Sequence, residues 1–155
     1  MLDKIDDILS KILEVIMSAC LFLTVLMTFI QVVFRYVLKV SLPWSQELLM
    51  VFFVYSIFFG AAVLVYKKDH LVVDLFDNVP NIINKLLMTL ESLIAMIVLF
   101  IFIYYGMELV NQNLVSGQTL GLLPFKRAYL YLVVPITSVF MIYFYLRRLY
   151  KTWAG

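Results

Sequence analysis

The hydrophobic pattern divides the chain into four long apolar stretches separated by short polar segments. Charged residues are absent from Val15 to Phe34, Leu48 to Tyr66, Ser92 to Met107 and Ala128 to Leu146, which gives runs of 20, 19, 16 and 19 residues. A helix needs about 20 apolar residues to cross a hydrocarbon core of about 30 Å. Because backbone groups in lipid must be hydrogen-bonded internally, the pattern predicts four transmembrane helices rather than strands.

The predicted spans include residues that flank the uncharged runs. They cover approximately residues 12–35, 47–66, 85–107 and 128–147 of a single membrane domain, residues 1–155. The third span begins near Lys85 and carries Glu91 in its first turns, because its uncharged run alone is too short to cross. The fold class is therefore an all-α integral membrane protein with four transmembrane helices.

An amphipathic helix is predicted ahead of the first span. Apolar residues recur there at helical spacing, and aspartates and Lys11 occupy the other side; the apolar set is Ile5, Ile8, Leu9, Ile12 and Ile16. Such a stripe can lie in the membrane interface and run into the span, either as one long helix or with a bend. The apolar run continues for 14 residues beyond Cys20, so we expect this N-terminal extension to be retained rather than cleaved as a signal peptide.

The composition agrees with this pattern. Apolar residues make up 65% of the chain, charged residues only 14%, and the mean hydropathy is +1.02. Soluble domains carry about 45–50% apolar and about 25% charged residues, so a cytosolic enzyme, a nucleic-acid binder and a disordered segment are excluded. One cysteine allows no internal disulfide, and one histidine allows no bis-histidine haem site, so no cofactor is expected.

The distribution of Lys and Arg predicts the orientation. Eight of these residues flank the spans on the side of the two termini, and four lie on the opposite side: Arg35, Lys39, Lys126 and Arg127. The side richer in Lys and Arg normally faces the cytoplasm. We therefore expect both termini in the cytoplasm.

A polar stripe follows one side of the first predicted helix: Cys20, Thr24, Thr28, Gln31 and Arg35. Small and hydroxyl-bearing side chains allow a neighbouring helix to approach closely. The stripe is interpreted either as packing within the four-helix unit or as a contact with another polypeptide. A water-filled path is less favoured, because Arg35 alone is ionisable.

The loop after the first span contains aromatic and charged residues typical of the membrane boundary. Tyr36 and Trp44 suit an interfacial aromatic belt, and Pro43 suits an early helical position. Arg35 and Glu47 flank the first two spans at similar depth. A salt bridge between them is predicted to clamp the two helices.

Ser56 and Gly60 form a small-xxx-small pair in the second span, which predicts a close helix contact. After this span, His70 lies between Asp69 and Asp74 in a predicted loop. Three such ligands on one loop are a weak metal signal, so no metal site is expected. Glu14 and Glu91 lie near the ends of apolar spans, where each is either a coupling carboxylate of a transporter or an interfacial acid paired with Lys11 or Lys85.

The chain contains four short motifs whose order is similar to that found in a known family. They are Arg35-Tyr36, then Pro43-Trp44-Ser45-x-Glu47, then Gly60-Ala61-Ala62, and finally Asp69-His70-Leu71-x-Val73-Asp74. Together they resemble the small (Q-type) membrane subunit of a TRAP transporter, a tripartite ATP-independent periplasmic transporter. Gln31 stands where that family pattern has asparagine, and it keeps an amide.

The resemblance implies a non-catalytic subunit of a sodium-coupled importer of organic acids, of the C4-dicarboxylate or sialic acid class. In that family a large membrane subunit holds the substrate and sodium, a periplasmic binding protein delivers the substrate, and the small subunit braces a static scaffold. Membrane lipids are further expected partners. The resemblance further implies that three residues stabilise the outer end of the small subunit: Arg35, Trp44 and Glu47.

The third connection, Asn111 to Arg127, is polar and predicts an outer loop. With the first outer loop it supplies candidate contacts to the binding protein: Lys39, Gln118, Lys126 and Arg127. The alternative function is a self-assembling small multidrug-type exporter in which Glu14 is the coupling carboxylate. The sequence contains no nucleophile–base pair, metal-ligand cluster or phosphate-binding loop that would favour a membrane enzyme.

Overall fold

Four long helices and one short hairpin form the described part of the chain, residues 2–67, 81–121 and 123–154 of a computed structural model. The elements in order are α1 (Leu2–Tyr36), α2 (Pro43–Lys67), α3 (Asn81–Val115), β1 (Thr119–Leu120), β2 (Leu123–Lys126) and α4 (Ala128–Ala154). Each helix contains a stretch that is long and apolar enough to cross a membrane. The predicted all-α, four-helix class is confirmed, and the side that the termini occupy stays a prediction.

The helices extend beyond the predicted spans. Both α1 and α3 have 35 residues, which corresponds to about 52 Å at about 1.5 Å per residue. Residues 111–115, predicted as part of a loop, are the last residues of α3. The rest of that connection includes an antiparallel hairpin, in which Leu120 pairs with Leu123.

The helices pack in a row. α1 packs on α2, α2 on α4, and α4 on α3. The two inner helices are consequently more buried than α1 and α3, which lie at the two edges of the row. A shared core joins all four helices and consists of Leu13, Phe59, Ala62, Val63, Leu99, Val133, Met141, Phe144 and Tyr145.

The row has two distinct ends. The terminal end holds the beginnings of α1 and α3 and the last turns of α2 and α4, as contacts between Glu14 and Lys67 and between Thr89 and Trp153 show. The hairpin end holds β1, β2 and the segment that joins α1 to α2. In that segment Lys39 has a φ of 54°, a left-handed conformation that few non-glycine residues adopt.

The amphipathic N-terminal extension and the first span form one continuous helix, α1. Its polar side faces the neighbouring helices: Asp6 and Ser10 are 2% and 4% exposed. Ile8 and Ile12, by contrast, are 60% and 51% exposed. The extension therefore attaches to the other helices through both polar and apolar side chains, since Leu9 and Ile16 pack against the shared core.

Candidate functional site

At the hairpin end, a short hydrogen-bonded chain joins α1 to the first turn of α2. Gln31 Nε2 donates to Ser45 Oγ at 2.8 Å, and Ser45 Oγ donates to the carbonyl of Leu42 at 2.6 Å. Ser45 is fully buried, so each of these polar groups is satisfied without water. Of the predicted polar stripe, Gln31 is the member that contacts α2 through a side-chain hydrogen bond.

Two other members of the stripe bond within α1. Thr24 Oγ1 donates to the carbonyl of Cys20 at 2.9 Å, and Thr28 Oγ1 donates to the carbonyl of Thr24 at 2.8 Å. A hydroxyl satisfied by its own helix can face lipid or protein at little cost. These bonds therefore do not distinguish packing within the chain from contact with another polypeptide.

Glu47 binds the hairpin. Its Oε2 accepts a hydrogen bond from the backbone N–H of Leu123 at 3.2 Å. A side chain added to Gly121, where φ is +30°, would collide with the Glu47 carboxylate. Glycine at this position thus allows the hairpin backbone to approach α2 closely.

The predicted clamp between Arg35 and Glu47 is not formed. The Arg35 guanidinium lies over the ring of Tyr36, with its carbon 5.9 Å from the ring centroid. Glu47 is turned toward the hairpin instead, because the backbone N–H of Leu123 provides a hydrogen-bond donor there. Sequence spacing placed the two residues at similar depth, but it carried no information about the hairpin.

A cleft of about 300 Å³ lies beside Arg35 at the hairpin end. Its lining includes Gln31, Ser41 and Gln46. Tyr36 is 72% exposed and Trp44 39% exposed. Both aromatic rings are therefore accessible at the end of the helices, as an interfacial position requires.

Gly60, one of the two small residues for which a close helix contact was predicted, packs against α1. A Cβ atom on Gly60 would lie 3.1 Å from Met17 Sδ. The absence of a side chain on Gly60 therefore leaves room for the side chain of Met17. Ser56 is buried and donates to the carbonyl of Phe53 at 2.7 Å. The sequence predicted a close contact here without naming the other helix, and α1 supplies it.

The terminal end holds a buried ionic cluster that the sequence analysis missed. Arg147 donates to Asp6 Oδ2 through Nε at 2.9 Å and through Nη2 at 2.8 Å. Tyr143 donates its hydroxyl hydrogen to Asp6 Oδ1 at 2.7 Å. The signal in the sequence was an acid on the polar side of an amphipathic helix, at the same predicted end as a tyrosine and an arginine one turn apart.

The two conspicuous glutamates also pair at the terminal end. Glu14 Oε1 lies 2.9 Å from Lys67 Nζ, and Glu91 Oε2 lies 3.7 Å from Arg148 Nη2. Interfacial pairing was one of the two predicted alternatives, but these partners differ from the proposed Lys11 and Lys85. Partners on neighbouring helices tie α1 to α2 and α3 to α4.

The candidate docking residues lie at the hairpin end. Lys39 is exposed in the segment between α1 and α2, and Lys126 and Arg127 are exposed at the end of β2. The carbonyl of Gln118 accepts a hydrogen bond from the N–H of Arg127 at 2.9 Å, which closes the hairpin. His70 and Asp74 lie outside the described residues. Within 2–67, 81–121 and 123–154, no three His, Cys, Asp or Glu residues gather as metal ligands.

Residues 24–155 match the family model of the DctQ component of tripartite ATP-independent periplasmic transporters. The chain belongs to this family. The sequence-based recognition of a TRAP small subunit is therefore confirmed. Four apolar helices in a member of a membrane-permease family make it a multi-pass membrane protein and a transporter subunit.

Two proteins of Haemophilus influenzae are similar to the chain. The sialic acid TRAP transporter permease protein SiaT is 29% identical over 114 residues, which cover 73% of this chain and 18% of SiaT. A protein named as a TRAP transporter small permease protein is 29% identical over 152 residues, which cover 96% of this chain and 91% of that protein. The chain thus spans about a fifth of SiaT and nearly all of the second relative.

The DctQ match begins at Thr24 and leaves out the first turns of α1. Asp6 and Glu14, which form ion pairs at the terminal end, precede the matched region. Glu47, Gln31 and Ser45 lie within it. The hairpin-end contacts therefore belong to the part of this DctQ protein that the family model describes.

Proposed function

We propose that the chain is the non-catalytic small membrane subunit of a sodium-coupled, binding-protein-dependent importer of organic acids. Its role is to brace the large transport subunit as part of a static scaffold. The substrate is an acid of the C4-dicarboxylate or sialic acid class, and the similarity to SiaT makes sialic acid the first compound to test. Substrate and sodium bind to the large subunit, so this chain needs no cofactor.

The observation that carries the scaffold role is the pairing of charged side chains between helices at the terminal end. Asp6 bonds to α4, Glu14 to α2, and Glu91 to α4. The pair of Asp6 with Arg147 is the buried one, and removing one partner of a buried ion pair costs about 3–5 kcal/mol. Such contacts oppose sliding of one helix along another, as a static brace requires.

The hairpin end supports docking of a soluble partner. Lys39, Lys126 and Arg127 are exposed there, and Glu47 is turned to the hairpin backbone. Complementary charge steers association and fixes the orientation of a partner. An acidic surface of the periplasmic binding protein fits this cationic end.

The orientation follows from the same proposal. The hairpin end faces the periplasm, where the binding protein acts, and both termini lie in the cytoplasm. The excess of Lys and Arg on the terminal side supports this arrangement in the bacterial inner membrane.

The exporter alternative requires Glu14 to be available for coupling. In the structure Glu14 forms an ion pair with Lys67 near the end of α2, and both side chains are about half exposed. A coupling carboxylate is typically placed within the bundle, where it alternates between substrate and proton. The position of Glu14 therefore favours the scaffold role.

An uptake assay tests the proposal. Cells that lack the gene for this chain are complemented with the wild-type chain or with Glu14→Gln, and uptake of radiolabelled sialic acid and of a C4-dicarboxylate is measured with and without a sodium gradient. We expect loss of sodium-dependent uptake without the chain, and restoration by both versions. Normal uptake without the chain would contradict a role in import, and loss of coupling in Glu14→Gln alone would favour the exporter.

A further inference from the structure

A groove of about 530 Å³ lies along α3 toward the hairpin end. Ile103 and the buried Val110 line one side of the groove. We call the other lining residues the Glu108 face: Tyr104, Met107, Glu108, Asn111 and Leu114. Each of these side chains is exposed, with Tyr104 at 70% and Met107 at 54%. α3 packs on α4, and Leu99 in the shared core is 7% exposed.

Glu108 directly follows the uncharged run of α3 and lies level with the first turns of α4. A Cβ atom on Gly106 would lie 3.2 Å from Pro135 Cδ, which fixes the relative depth of α3 and α4. Because the two helices are antiparallel, Glu108 lies level with Val133, about 8 Å along the helix from Ala128 at about 1.5 Å per residue. A carboxylate at this depth is costly in lipid unless it is paired.

The described part of the chain supplies Glu108 with one weak partner. Gln112 Nε2 donates to Glu108 Oε1 at 3.3 Å from one turn further along α3. The ion pairs among residues 2–67, 81–121 and 123–154 involve Asp6, Glu14 and Glu91 instead. A cation that pairs with Glu108 would therefore have to come from outside these residues.

The outward face of α1 is different. Val15, Phe22 and Phe29 point away from the other helices and are 63%, 66% and 65% exposed. The chain between Glu14 and Arg35 has no charged residue. Lipid acyl chains cover such a face fully, whereas they do not satisfy the carboxylate on α3.

We propose that the Glu108 face of α3 is the docking site for a helix of the large membrane subunit that carries a lysine or arginine opposite Glu108. This proposal rests on the proposed function, which supplies the partner. Charge complementarity selects the cation, and the apolar side chains beside Glu108 provide the packing surface. A polar group on an otherwise apolar helix contact also fixes the register of the two helices.

Site-specific photocrosslinking tests the docking site. p-Benzoylphenylalanine is placed at Asn111 on the Glu108 face, or at Phe22 on α1 as the matched control, in the tagged full-length chain expressed with its native transporter. Mass spectrometry identifies any adduct after irradiation of native membranes. We expect an adduct with the large permease subunit from position 111 and none from position 22.

The opposite results overturn the docking site. They are an adduct from position 22 alone, no protein adduct from position 111, or an adduct from position 111 with a second copy of this chain. Recovery of no large permease by the unmodified tagged chain would contradict the proposed function itself, and the docking site with it. The two failures are distinguished by that unmodified sample.

A charge substitution gives a second measurement. Glu108→Lys should lower the amount of co-purified large subunit about tenfold, and Glu108→Gln should lower it less, because a repulsive charge costs more than a lost one. Val37→Lys introduces a lysine at an exposed position after α1 and should leave the amount unchanged. Equal recovery with Glu108→Lys and Val37→Lys would overturn the proposal, and a single symmetric gel-filtration peak for each variant shows that it is folded.

Discussion

The Asp6 carboxylate receives two hydrogen bonds from the guanidinium of Arg147, a residue 141 positions further along the chain. This contact joins the first turns of α1 directly to the last turns of α4, although α2 lies between the two helices in the row. Asp6 is 2% exposed, so the pair is buried. The ends of the chain are thereby tied together at the terminal end.

Asp6→Asn should destabilise the protein by about 3 kcal/mol, because the substitution removes the negative charge that pairs with the largely buried Arg147 guanidinium. Unfolding by SDS in mixed micelles measures the change in free energy. Lys4→Gln is the matched control, since Lys4 is exposed on the same turn of α1 and its replacement should change the stability by less than about 0.5 kcal/mol. Equal effects of the two substitutions would show that the ion pair contributes little.

Gly60 allows the side chain of Met17 to pack against α2. The effect of substituting Gly60 on stability should therefore depend on the size of the new side chain. Gly60→Ala should be neutral or slightly stabilising, because the tip of Met17 can move and alanine favours a helix by about 1 kcal/mol over glycine. Gly60→Leu should destabilise by about 1–3 kcal/mol through overpacking. The same SDS titration checks both. A stable leucine variant would show that α1 and α2 do not pack closely at this point.

Glu47 and Gly121 should be coupled. Gly117→Ala and Gly121→Ala both place a side chain on a backbone with positive φ, which costs about 1–2 kcal/mol. Gly121→Ala should cost more, because its side chain also meets the Glu47 carboxylate, whereas Gly117 has open space around it. In a Glu47→Ala background the difference between the two variants should disappear. A difference that persists in this double-mutant cycle would contradict the contact.

Arg35 and Glu47 should behave independently. Glu47→Ala removes the acceptor of the Leu123 N–H and should cost about 1–3 kcal/mol of stability. Arg35→Ala should cost less than about 0.5 kcal/mol, since Arg35 is exposed and its contact is the ring of Tyr36. Thermal stability of the single and double variants in detergent checks this. Non-additive effects of the two substitutions on stability would instead support the salt bridge that the sequence predicted.

The fold was predictable from sequence because lipid imposes a simple rule. An uncharged run of about 20 residues must satisfy its backbone internally, so helix type and approximate position follow from the absence of charge. Residues 111–115 were assigned to a loop because they are polar. The structure continues α3 through them, since outside the hydrocarbon a polar sequence forms a helix equally well.

The contacts at the helix ends were less predictable. The interpretation of Gln31 and Gly60 as packing residues was consistent with what the structure shows, but their partners, Ser45 and Met17, depend on which helices are neighbours. Arg35 and Glu47 were paired by charge and depth alone. The hairpin that binds Glu47 was not predicted, because the polar pattern of its segment indicated only turns.

Purification of the complex from native membranes tests the central claim most directly. The tagged chain is extracted in mild detergent, and native mass spectrometry measures the mass and composition of what is recovered. The account predicts one copy of this chain with one copy of a much larger polytopic permease. Recovery of the chain alone, as a dimer or a larger homo-oligomer, would contradict it.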